Sequence, residues 1–340
     1  MFEKLRAFAD LGRTQGITTT ASVVIVGALT STASVQWYHI IYFTVLSAFA
    51  HMALNTHIAL GDIDLDAQTY VPTKNPILSG ILAENDAKKF FYAGTVACII
   101  LTFSLFFIYD NIFILIATIL CFIPSYGSLI WYGWKGKKYA FSYDFSFCIS
   151  YAFFVLFGVI AVGGMPTIYT WIFIGIIIFE ATSFAQWENG LKDVDADRSA
   201  GVKSFAVLTS VKNNEKLHLT HPYFLYGCIL KTGFLIFCFI AYFNFNNEYN
   251  LYYLLFILLF GIPTQAFILY RFLIKYKPID HRKTILLDVT FSGILGYSII
   301  IGYNGILTFL LLIPYLIIGY LIGSAFQHNA EFKFSRFSQA

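Results

Sequence analysis

Asp62 and Asp66 in the segment LGDIDLDAQTY, and Asp193 and Asp197 in GLKDVDADRSAG, form two DxxxD pairs. Side chains four apart share a helix face about 5–6 Å from one another, so each pair is spaced to clamp a divalent cation through carboxylate oxygens. With Asp64 and Asp195 between them, these two short stretches hold six of the 19 acidic residues. Like charges at this spacing repel unless a counterion sits among them. The bland alternative is a solvated loop, because acids also gather at helix ends near a membrane surface. Two repeats of the same pair favour cation binding. Mg2+ asks for octahedral oxygen ligands and commonly takes one or two carboxylates plus phosphate oxygens, which suits a diphosphate gripped from two sides.

The elements that carry these pairs are membrane helices. The chain has 340 residues, 58% hydrophobic and 12% charged, whereas soluble domains are about a quarter charged. Apolar stretches long enough to cross ~30 Å of hydrocarbon recur along the chain. They fall near 17–35, 37–60, 88–108, 111–132, 143–163, 168–188, 222–243, 250–273, 285–303 and 305–323. The expected fold is all-α, a polytopic transmembrane bundle of nine or ten spans, ten being favoured. No room is left for a separate soluble domain, so 1–340 reads as one integral-membrane domain. There is no basic-aromatic stretch suited to nucleic acid.

Basic residues orient the bundle. Arg and Lys cluster before the first span and after even-numbered ones, at 4–13, 74–89, 135–138, 192–216, 271–283 and 333–336; only Lys231 falls inside a span. The positive-inside rule then places the N-terminus and both aspartate motifs on the cytoplasmic side. The five cysteines all lie in apolar stretches and none forms CxxC, so neither a disulfide framework nor a thiolate metal site is expected. The seven histidines show no ligand spacing with acids and read as interface or loop residues. Gly61 and Gly190, just ahead of the two motifs, would permit close backbone approach or unwinding.

The segment NTHIALGDIDLDAQTYVPTKNPILSG resembles the first signature of the UbiA superfamily of intramembrane prenyltransferases, in which an NDxxDxxxD helix end is followed by a basic residue, Pro and Ser-Gly. NGLKDVDADRSAGVKSFAV resembles the second, DxxDxxxDxxxG followed by a basic residue. The sequence departs from the pattern at the leading Asn-Asp, which falls on Ile58 and Ala59, at the usual Arg-Pro, which is Asn75-Pro76, and at the first Asp of the second signature, which is Gly190. The resemblance implies a central cavity open to the cytoplasmic side and Mg2+ held by Asp62, Asp66, Asp193 and Asp197, which also serve as the catalytic groups. It implies diphosphate contacts from Lys74, Lys135, Lys138, Lys203, Arg13 and Asn189, although the family's YxxxK spacing is not reproduced around Tyr132, Lys135 and Lys137. The implied partners are a prenyl diphosphate, a lipophilic acceptor (a quinone precursor, an ether lipid, a carotenoid or another isoprenoid) and membrane lipid. Two rival readings are a terpene cyclase of the same superfamily, which needs no acceptor, and a transporter using the acids as an ion site. Glu180 and Lys231 lie within spans; they are expected to pair with one another, or Glu180 to line the acceptor pocket.

Overall fold

The computed structural model of the protein describes residues 2–68, 75–213, 217–245, 250–274 and 281–327. In hydrocarbon, backbone N–H and C=O groups find no water, so an apolar chain satisfies them within helices. The order is α1 (Phe2–Leu11), α2 (Ile17–Leu29), α3 (Trp37–Gly61), α4 (Ile63–Gln68), α5 (Glu84–Tyr109), α6 (Ile112–Trp134), α7 (Ser142–Ala161) and α8 (Ile168–Thr182). There follow α9 (Asn189–Ser199), α10 (Phe205–Leu208), α11 (His221–Asn244), α12 (Asn250–Phe256), α13 (Ile262–Leu273), α14 (His281–Tyr297), α15 (Ile299–Asn304) and α16 (Ile306–Ala325). Among the described residues, eight helices are long and apolar enough to cross a membrane, and two shorter apolar ones span Thr14–Leu29 and Ile168–Thr182. Each of the ten expected apolar stretches is therefore a helix.

Three details differ from expectation. The first span ends at Leu29 and not near 35, because hydroxyls take over its last carbonyls: Thr30 donates to Gly27 O (2.9 Å) and Ser31 to Ala28 O (2.7 Å). Thr167 and Thr170 in turn donate to Thr30 O, tying this turn to the start of α8. A two-residue antiparallel pairing, Lys212–Asn213 with Leu217–His218, interrupts an otherwise helical chain. The sixth span is not uniform: α8 passes into a π-helical turn, Ser183–Glu188, before α9 begins. At the other end of the chain, Gly305 (φ 83°) separates α15 from α16, so 285–323 holds two membrane-length helical stretches, Lys283–Asn304 and Ile306–Ala325, rather than one broken span.

Lipid tails are as apolar as leucine, so close packing and not hydrophobicity joins such helices. Gly27 of α2 and Gly158 of α7 face each other's helices so tightly that a methyl on either would overlap a backbone carbonyl, Val155 O or Val24 O. Phe43, Phe157, Phe173, Phe234 and Phe245 fill the core, while Phe107, Phe113 and Leu259 project from the outside of the bundle. His51 on α3 is bonded through both ring nitrogens to Thr20 Oγ1 and Arg13 O, which ties α3 to the start of α2.

Candidate active site

The first aspartate pair sits where α3 gives way to α4. Asp62 caps α3, and the Asp66 N–H donates to Asp62 O at 2.7 Å, so one helical turn separates the two carboxylates. Oδ1 of Asp62 is screened from solvent. Asn75 Nδ2 donates to Asp66 Oδ2 at 2.8 Å, and Asn75 Oδ1 accepts from the Ile77 N–H at 3.0 Å. The residue that replaces the family's usual arginine therefore orients a candidate metal ligand. Asp64, between the pair, is exposed. Helical spacing puts His51, Asn55 and Asp62 on one face of α3.

The end of α3 is pressed against the end of α6. A methyl on Gly61 would overlap the Gly133 carbonyl oxygen, and one on Gly133 would lie 2.7 Å from His57 Cδ2. His57 Nε2 hydrogen-bonds Ile130 O at 2.9 Å, closing the same contact. Close approach at Gly61 is thus as expected. Beside Gly133, the buried Tyr132 packs edge-on to Tyr143 (4.7 Å between centroids), and the charges of Asp197 and Arg13 both act on its hydroxyl. The Tyr132–Gly133 step consequently meets the first motif through its backbone, and the Tyr132 side chain lies within electrostatic reach of Asp197 in the second. The two motifs occupy one end of the bundle.

The second pair lies on α9. Leu191 and Val194, three apart, are buried with Trp187, Ala206 and Tyr223 in a satellite core that seats this helix. Its C-terminus is a Schellman turn: Val202 N–H donates to Asp197 O (2.9 Å) and Gly201 N–H to Arg198 O (3.3 Å), with Gly201 at φ 71°. Asp197 is partly exposed, whereas Asp195 turns to Arg198 (3.0 Å) at the surface. Asp193 belongs to α9, but its side chain lies outside the described residues. Gly190 is not a point of unwinding; it is interior to α9, and a methyl there would meet Tyr223 OH only at 3.4 Å.

The candidate cations fall into distinct settings. Arg13 is exposed with left-handed backbone (φ 48°), and its carbonyl accepts from His51 Nε2 at 2.9 Å, which pins it against α3. Thr20 Oγ1 holds the other ring nitrogen of His51 at 2.8 Å. Lys135 is exposed and lies 4.2 Å over the Trp134 ring, and Lys138 and Lys203 are exposed. Asn189 donates to Phe184 O at 2.8 Å, inside the π-helical turn. Lys74 lies outside the described residues. The five cysteines are free, as expected.

Several residues that matter here were not singled out by spacing. Asn75 read as a lost arginine, and His51 and His57 as incidental; their partners are backbone carbonyls and hydroxyls that no motif reports. Glu180 does pair with Lys231 (3.7 Å), but Glu188 (3.1 Å) and Asp288 contact the same ammonium. Removing the Asn75 amide is expected to reduce divalent-metal affinity about 10-fold or more, the scale of losing an outer partner of a ligating carboxylate. Asn75→Ala compared with the unaltered chain, by titrating Mg2+ dependence, checks this.

Among the described residues no three His, Cys, Asp or Glu side chains form a ready metal cluster, and the Asp193 carboxylate is not among them. The donors that are described fit a hard cation nonetheless: carboxylate oxygens one turn apart, one of them screened from solvent and its neighbour oriented by an amide.

Fold and site together define a polytopic helical membrane protein with paired aspartate motifs at one end of its bundle. The profile of the UbiA prenyltransferase family matches residues 17–284, and the chain belongs to that family. Comparison with curated proteins finds no significant match. Among solved structures, the chain is similar to a UbiA homolog from Aeropyrum pernix K1 (TM-score 0.65, 16% identity, 85% of this chain and 98% of that one). It is also similar to a UbiA homolog from Archaeoglobus fulgidus bound to GPP and Mg2+ (0.63, 13%, 86% and 99%). A third, a digeranylgeranylglyceryl phosphate synthase, matches at 0.61 and 19% identity over 88% and 98%. At these identities the likeness is one of fold.

Proposed function

We propose that this chain is an intramembrane prenyltransferase that moves a polyprenyl group from an allylic diphosphate to a lipophilic acceptor and releases diphosphate, working as one domain over 1–340. The observation that carries this reading is the Tyr132–Gly133 step, which lies against Gly61 beside Asp62 and also feels the charge of Asp197. Two carboxylate motifs converging on one helix end suit a substrate with a compact, multiply charged head. Asp62, Asp66, Asp193 and Asp197 would hold Mg2+, and a solved UbiA homolog is bound to GPP and Mg2+. The metal, when bound, neutralises the charge that grows on the leaving diphosphate.

The chain's own groups do the rest. Arg13, Lys74, Lys135, Lys138, Lys203 and Asn189 provide donors to the diphosphate oxygens, and the bond from His51 fixes the Arg13 backbone against α3. Asn75 keeps the Asp66 carboxylate turned to its task. The prenyl carbon that loses diphosphate must be kept from water, which would divert it to an alcohol. The acceptor's nucleophilic atom bonds to that carbon as the C–O bond to diphosphate breaks, and the acceptor gives up a proton. The distribution of basic residues supports a cytoplasmic N-terminus and cytoplasmic motifs. Acceptors compatible with the reading are a quinone precursor, an ether lipid, a carotenoid or another isoprenoid; the likeness to a digeranylgeranylglyceryl phosphate synthase makes an ether-lipid precursor the first to try.

The test is purified protein in lipid nanodiscs with Mg2+, geranylgeranyl diphosphate and a panel of these acceptors, followed by mass spectrometry. Expected is a prenylated product with stoichiometric diphosphate, abolished by chelation. A cyclised product without acceptor would make the protein a cyclase, and no diphosphate release with any substrate would refute the chemistry itself.

A further inference from the structure

Lys231, midway along α11, is 1% exposed and stands among three carboxylates. Glu188 Oε1 lies at 3.1 Å, Glu180 Oε2 at 3.7 Å, and Asp288 Oδ2 is in direct contact. Ser183 donates to Glu188 Oε1 (3.1 Å), Ser292 to Asp288 Oδ1 (2.8 Å), and Gln265 Nε2 to Ser292 Oγ (2.7 Å). One network thus joins the π-helical turn after α8 to α11, α13 and α14. Buried ions are poor stabilisers, since apolar residues of similar volume often serve stability as well or better. Charges within a membrane interior therefore point to function.

Distance decides which function. Glu180 precedes Asp193 by 13 residues, roughly 20 Å at 1.5 Å per residue, too deep to touch a diphosphate held at the motifs. Glu188 precedes it by five and is the last residue of the π-helical turn. A π turn admits one extra residue, and one residue rotates everything beyond it by about 100°. The face on which Asp193 and Asp197 leave α9 therefore depends on that turn being kept. Three bonds keep it: Asn189 to Phe184 O, Ser183 to Glu188, and Lys231 to Glu188.

We propose that Lys231 is a positioning residue, which through Glu188 holds the π-helical turn and so sets the rotation of the helix carrying Asp193 and Asp197. This rests on the diphosphate-binding reading above. Lys231→Met and Glu188→Gln are each expected to weaken binding of Mg2+ with inorganic diphosphate about 10-fold or more, as outer partners of metal sites do. The Mg2+ concentration for half-maximal turnover rises in parallel, while KM for the prenyl diphosphate at saturating Mg2+ changes little. Lys231→Arg restores most of the affinity. Glu180→Gln, which touches the same lysine from the deep side, leaves Mg2+-diphosphate binding unchanged.

Calorimetry and thermal unfolding on the full chain in nanodiscs read these effects. A Lys231→Met or Glu188→Gln chain that unfolds earlier but binds Mg2+ and diphosphate normally overturns the proposal and leaves a merely structural cluster. Should Lys231→Met fail to fold, the near-isosteric Glu188→Gln decides. If the unaltered chain itself shows no binding of Mg2+ with diphosphate, the functional reading fails first; if it binds and both variants match it, only the positioning role falls.

Discussion

Asparagine at Asp62 or at Asp197 is expected to lower kcat/KM for the prenyl diphosphate by about 10²–10³-fold, the scale of losing one preorganised charge contact at a reacting centre. Thermal stability should hardly move, because asparagine keeps the carboxylate's shape, and both positions lie at helix ends rather than in the core. Asp64 and Asp195 provide the internal contrast. Asp64 is exposed, and Asp195 pairs with Arg198 at the surface, a contact worth roughly 0–1 kcal/mol. Asp64→Asn and Asp195→Asn should therefore leave turnover close to that of the unaltered chain. Steady-state release of diphosphate from all four variants, measured across a Mg2+ series, separates the two classes. Full activity in Asp62→Asn or Asp197→Asn would remove the basis for a carboxylate-held diphosphate.

The spans were legible because the bilayer makes hydropathy almost a structural rule: all ten apolar stretches correspond to helices. What hydropathy does not record is where hydrogen bonds end a helix. The first span stops at Leu29 because Thr30 and Ser31 cap it and the Thr30 carbonyl accepts from Thr167 and Thr170, 137 and 140 residues away in sequence. The π-helical turn at Ser183–Glu188 is hidden for a similar reason. Its residues, SFAQWE, have no breaker, and the turn is held by Ser183, Asn189 and a lysine on another helix.

The site divides along the same line. The DxxxD pairs were visible because i and i+4 spacing is local in the chain; between the members of each pair, Asp64 is exposed and Asp195 turns to Arg198. The groups that orient them are remote. Asn75 reaches Asp66 from nine residues further on, Tyr132 comes from the end of another span, and Lys231 is 43 residues beyond Glu188. A lysine alone in an apolar span signals an acidic partner by its cost, which is how Glu180 came into view. It does not say how many partners there are, and Glu188 and Asp288 complete the set.

Gly61 is where helix packing and chemistry meet, and a side chain there should damage the second more than the first. Any Cβ at this position collides with the Gly133 carbonyl, a backbone atom that cannot swing aside as a side chain would. The ends of α3 and α6 must then part, carrying Asp62 away from Tyr132 and loosening the His57 bond to Ile130 O. Overpacking of this kind costs about 1–3 kcal/mol of stability. Misplacing a positioned group by 1 Å costs about 10²-fold in rate, so Gly61→Val is expected to lose at least that in kcat/KM. Gly133→Ala should lose less, because its methyl presses on a side chain, the His57 ring, and meets backbone only at Ile58 Cα, 3.4 Å away. Gly127→Ala, also on α6 but with nothing within 4 Å of the new methyl, should lose neither stability nor rate. Thermal unfolding and diphosphate release measured on all three variants check the order. If Gly61→Val turned over at the rate of Gly127→Ala, the approach of α3 to α6 would not be what brings the two aspartate motifs into register.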